Sequence, residues 1–125
     1  MDAQEHINYW KKSSDEDFAA ARSLLEKGHL RHSLFFTHLA IEKALKAHVT
    51  KEINDVPPRI HNLIRLMEIA GLKVNQQQQE FLREFGVYQL QGRYPDSEQI
   101  SLDEDTVRTE ISKAGETIKW LISQL

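Results

Sequence analysis

The positions of the helix-breaking residues constrain this chain most. Gly stands only at 28, 71, 86, 92 and 115, and Pro only at 57, 58 and 95, in 125 residues. Between them run long uninterrupted segments rich in Ala, Leu, Glu, Lys and Gln, the strong helix formers. No segment sustains the period-2 alternation of a half-buried strand. The pattern predicts an all-α protein.

Apolar spacing divides that protein into about five helices. From about residue 3 to Lys27, Ile7, Trp10, Phe18, Ala21, Leu24 and Leu25 fall on one helical stripe, with Gly28 as C-cap. Ser13 and Glu16 also fit a capping box, which leaves open a break or a later start near Ser13. A second helix, about Leu30 to Ile53, carries apolar groups on more than one face over its first half, as a central bundle helix would. Its second half turns basic with Lys43, Lys46, His48 and Lys51, which suits a helix C-terminus, and Pro57-Pro58 forbids continuation. A third helix spans about His61 to Ala70 with Gly71 as C-cap, and a fourth about Gln76 to Leu90. Residues 91–96 form a loop. Ser101 and Glu104 make the capping box of the last helix, where Val107, Ile111, Ala114, Ile118, Leu121 and Leu125 repeat at the spacing of a bundle seam.

Short connections make the expected architecture an antiparallel up-and-down bundle forming a single domain over residues 1–125. Trp120 lies roughly 200° around the last helix from Ile118, at 100° per residue, so it points away from that seam. Either another bundle face or a partner subunit covers it.

Composition narrows the function classes. Without Cys there is no disulfide framework, thiolate zinc site or thiol nucleophile. No apolar run approaches the roughly 18 residues of a membrane span, and the first residues lack the basic and apolar regions of a signal peptide, so a cytoplasmic location is expected. A net charge of −3 gives no general attraction for a nucleic-acid backbone; an anion site must be a local cluster.

Three constellations could carry chemistry. His38, Glu42 and Lys46 follow one another at i, i+4 along one helical row. This is either an ordinary intrahelical pair beside a packed His, worth ~0.2–0.5 kcal/mol, or a polar pocket between helices in which Lys43 or Lys46 receives a phosphate. Pro57-Pro58-Arg59-Ile60-His61 sets His61 near the start of the third helix, where it either packs or meets an anion. In Gly92-Arg93-Tyr94-Pro95-Asp96, Arg93 offers a planar donor fork and Tyr94 an aromatic face, or the segment is a turn with a surface Arg. His29 and His32 at i, i+3 lack a third ligand, so no metal site is expected. Glycine-rich phosphate loops and the serine-hydrolase elbow are absent from the sequence.

Taken together, several stretches resemble the HEPN (higher eukaryotes and prokaryotes nucleotide-binding) domain family. They are Trp10 with the Ala-rich first helix, Ser33 to Lys46 with its Ala-Ile-Glu-Lys-Ala-Leu-Lys core, Pro57-Pro58 followed by His61-Asn62-Leu63, and Arg93-Tyr94-Pro95-Asp96. The resemblance implies an up-and-down helical bundle, frequent homodimers and a nucleotide- or RNA-related role. Small stand-alone members are often found with a minimal nucleotidyltransferase in toxin–antitoxin-like systems. Many members cleave RNA without metal through an Arg, four to six intervening residues and a His. After Arg93 those positions hold Glu98, Gln99 and Ile100, so the imidazole that would act as general acid or base is missing. The same spacing at Arg22 and His29, and at Arg31 and His38, falls outside the loop before the last helix.

On this resemblance the chain is expected to be a non-catalytic module without a cofactor, binding a nucleotide or RNA end and pairing with a separate nucleotidyltransferase. Its candidate phosphate-binding residues are Arg93, Tyr94, Asp96, His38, Glu42, Lys43, Lys46 and His61. The alternatives are a divergent ribonuclease using His61 or His38, and a plain dimeric interaction module.

Overall fold

The structure is a computed structural model that describes residues 2–88 and 102–125. Among these residues five helices and no strand form the expected bundle: α1 (Ala3–Glu26), α2 (Leu30–Ile53), α3 (Leu63–Ile69), α4 (Gln76–Phe85) and α5 (Glu104–Ser123). No helix among them is long and apolar enough to cross a membrane.

α1 and α2 pair along their lengths as an antiparallel hairpin. The Asp2 carboxylate accepts from the Glu5 N–H at 2.8 Å to open α1. At the other end Gly28 takes φ +80, and the N–H groups of Gly28 and His29 return to the carbonyls of Leu25 and Leu24. That left-handed step costs a side-chain-bearing residue roughly 1–2 kcal/mol, so Gly there fixes where the hairpin turns. The break that Ser13 and Glu16 left open does not occur. The Ser13 hydroxyl accepts from Lys43 Nζ at 2.8 Å and the buried Ser14 hydroxyl donates to the Ala40 carbonyl at 2.7 Å. Both serines are used across the helix pair, and α1 runs through them.

α2 is central and touches α1, α3 and α5. Every residue from Ala44 to Thr50 is buried, so the half of α2 that turns basic in the sequence is also deeply enclosed. Leu34, Ile41, Leu45 and Val49 meet Leu66, Phe85, Ile111, Ala114 and Leu121 in one core. Near the far end of α2, His48 Nε2 lies 2.7 Å from the Leu121 carbonyl, tying α2 to α5.

Three helix ends differ from the sequence expectation. α3 begins at Leu63 rather than His61, because the Asn62 side chain accepts from the Arg65 N–H at 2.9 Å and makes Asn62 the N-cap. α4 is interrupted after Phe85 by Gly86 as C-cap, and Val87 and Tyr88 are helical again; residues 89 and 90 of the expected helix lie outside the described residues. At its start, Asn75 and Gln78 form a reciprocal capping box, which gives the Gln-rich run a local function. α5 is capped by Asp103, whose carboxylate accepts from the Thr106 N–H at 3.0 Å; Ser101, the cap expected from the sequence, lies outside the described residues. An Asp serves there because it sets a carboxylate beside the positive end of the helix.

Trp120 is half-buried and packs on the core while lining a groove with Phe81 of α4, so a bundle face covers part of it. Along α5, Gly115 faces Phe18 of α1; a Cβ at Gly115 would come within 2.9 Å of the Phe18 ring. The absent side chain lets α1 and α5 approach.

Candidate functional site

Four of the candidate residues come together around one carboxylate. The i, i+4 spacing of His38, Glu42 and Lys46 stacks them on one face of α2, and that face is enclosed: Glu42 is 3% exposed and Lys46 8%. A carboxylate buried this deeply without partners would cost several kcal/mol. Here Lys46 Nζ donates to Glu42 Oε2 at 3.0 Å, and His38 Nδ1 stands 3.6 Å from Oε1. The third partner arrives from outside the helix. His61 Nδ1 lies 3.1 Å from both Glu42 oxygens.

Chain direction explains that meeting. After α2 ends at Asn54 in the left-handed conformation, buried Pro57 and its neighbour Pro58 stiffen the return along α2, and Asn62 then starts α3. His61 is left just before that helix, with a side chain 44% exposed. Its Nδ1 is engaged with Glu42, so the N–H sits on that nitrogen and Nε2 faces away from the carboxylate. An imidazole held at a fixed angle by a buried carboxylate can accept a hydrogen bond through Nε2 when neutral and donate one to an anion when protonated.

Trp10 of α1 closes another side, with Lys46 Nζ 5.6 Å from its ring centroid. Lys46 Nζ is thus held between the Glu42 charge and an aromatic face. Lys43 diverges from this cluster. One helical step aside, it pairs with Asp17 at 2.7 Å and donates to Ser13, binding α2 to α1. Arg93, Tyr94 and Asp96 lie outside the described residues. His29 and His32 stack edge to face near the hairpin turn, with ring centroids 6.3 Å apart.

Sequence reasoning found the polar row but missed that Trp10 belongs to its surroundings. Trp10 reads as one more member of the α1 stripe, and nothing in its spacing signals a cation from α2. Nor did the sequence single out Arg65 and Arg83, which line one cleft with His61 where α3 and α4 pack together.

Comparison with protein families matches the HEPN domain over residues 7–125. Comparison with curated protein sequences gives no significant match. Among solved structures, TT1696 from Thermus thermophilus superimposes with a TM-score of 0.80 at 18% identity, over 95% of this chain and 98% of that one. ST0689, an archaeal HEPN homologue, gives 0.74 at 19% identity over 94% and 96%. At these identities the likeness speaks for the shared helical fold.

Proposed function

Because this chain belongs to the HEPN domain family, we propose that it is a non-catalytic binding module for a nucleotide or RNA end. It acts in the cytoplasm as a homodimer and pairs with a separate minimal nucleotidyltransferase in a two-component, toxin–antitoxin-like system. The observation that carries this reading is the buried Glu42 that fixes His61 at the surface. An apolar row of similar volume would hold α1, α2 and α3 together at least as well as a buried ion pair. What the charged row adds is a polar group of set orientation open to a ligand. The same cluster engages its Lys internally, so recognition falls to His61 and to exposed cations near it rather than to Lys46 directly.

The absence of a His at the positions after Arg93 supports binding over cleavage, because a lone Arg stabilises phosphate but cannot take a proton from a 2′-hydroxyl. One observation favours the second reading, a divergent ribonuclease: a carboxylate-oriented imidazole is a group suited to general acid–base work. Calorimetric titration of the full chain with nucleoside phosphates and short RNA, with and without magnesium, tests the proposal. Heat of binding with intact RNA supports it, whereas no heat with any of these ligands overturns it in favour of a plain interaction module.

A further inference from the structure

Beside His61 the packing of α3 against α4 leaves a cleft of about 740 Å³. That volume lies in the range of sites for small organic ligands. Its walls are of two kinds. Ile64, Leu82 and Val87 supply an apolar surface, while His61, Arg65 and Arg83 bring three basic side chains to the same cleft. Glu68 also lines it and forms an exposed ion pair with Arg65, whose Nη1 lies 3.9 Å from the carboxylate, so it offsets one of the two guanidinium charges. Glu42, by contrast, is spent: it lies under His61, already shared between Lys46 and the imidazole. With two guanidinium groups against one carboxylate, and an imidazole beside them, the cleft keeps a local positive charge in a chain whose net charge is −3.

We infer that this cleft between α3 and α4 binds a nucleoside monophosphate, its phosphate monoester held by Arg65, Arg83 and the Glu42-anchored His61 and its base or ribose on the apolar wall. The inference rests on the binding reading above and gives that reading a location. Three points of chemistry select the monoester. Two guanidinium forks and an imidazole match the three terminal oxygens and near −2 charge of a monoester better than the two free oxygens and single charge of an internal diester. Guanidinium groups are less strongly hydrated than ammonium, so exposed Arg gives up little water on meeting phosphate. The apolar wall adds contact that inorganic phosphate alone cannot use.

The decisive experiment is calorimetric titration of the full chain with AMP, inorganic phosphate and adenosine as separate arms. Variants are Arg65→Gln, Arg83→Gln, and Arg22→Gln as a control, since Arg22 lines a different groove between α1 and α5. Arg65 and Arg83 are exposed, so their substitution leaves the folded state intact, checked by unchanged melting temperature. AMP is expected to bind more tightly than either phosphate or adenosine, at least about tenfold more weakly in each cleft variant, and unchanged in Arg22→Gln. AMP bound equally by both cleft variants overturns the inference while leaving nucleotide binding standing elsewhere. Adenosine bound as well as AMP overturns it too, by removing the phosphate from recognition. If no nucleotide or RNA binds the wild-type chain, the binding proposal fails and this location with it.

Discussion

His61 and Glu42, nineteen residues apart, meet with the imidazole Nδ1 at 3.1 Å from both carboxylate oxygens, and this pairing joins the central helix to the segment leading into α3. It makes one side chain both a structural partner and a surface group. The buried carboxylate fixes the ring, and the ring helps keep the carboxylate from being left uncompensated.

Glu42→Gln is expected to destabilise the fold by on the order of 3 kcal/mol, because it leaves Lys46 enclosed without its counter-charge. Urea unfolding measures this. A loss of only about 0.2–0.5 kcal/mol, the range for a solvated intrahelical pair, would mean that the row is ordinary surface.

Acidification should weaken the fold through His48. Burial holds its imidazole below the ordinary value of 6.5; the hydrogen bond to the Leu121 carbonyl works the other way, and Lys51 adds to the lowering. In the unfolded chain His48 takes up a proton more readily than in the fold, so the neutral form contributes stability above about pH 6.5. That contribution fades as pH falls toward the depressed folded value. The melting temperature should therefore drop between pH 7 and pH 5, and His48→Gln should flatten that part of the curve. An unchanged slope in the variant would assign the effect to other groups.

At Gly115 two effects of known size oppose each other. An Ala there gains up to ~1 kcal/mol of helix propensity, but its Cβ meets the Phe18 ring at 2.9 Å, a crowding that typically costs ~1–3 kcal/mol. Gly115→Ala alone is expected to be neutral to destabilising. In a Phe18→Leu background the same change should become stabilising, which thermal unfolding of the four proteins in the cycle reads directly.

Assembly offers a separate check. In sedimentation at micromolar concentration the chain is expected at twice its 14.5 kDa mass, and Trp120→Ala should weaken the dimer more than it unfolds the protomer. A 14.5 kDa species alone would remove the homodimer from the account.

Much of the bundle was legible because its limits are set locally. α2 starts at Leu30 just after Gly28, and Pro57-Pro58 bars its extension, while the stop at Ile53 is made by Asn54 in the left-handed conformation. Where two local signals competed, spacing alone misled: Asn62 outranked His61 as a helix start, and Gly86 set a turn into the helical run after Phe85. The row His38, Glu42 and Lys46 was visible as a pattern, but its burial was not. Enclosure depends on Trp10 arriving from α1 and His61 from beyond the proline turn, and such contacts between distant positions leave no periodic trace.

The most direct test of the central claim follows binding and RNA integrity in one sample. Labelled 5′-phosphorylated single-stranded RNA and a transfer RNA are incubated with the wild-type chain, His61→Ala and Arg93→Ala, with chelator present, and both complex formation and strand length are read. Wild type is expected to bind the RNA and leave it uncut, and His61→Ala to bind at least about tenfold more weakly. Cleavage by wild type that both variants lose would contradict the non-catalytic module and make the protein a divergent ribonuclease.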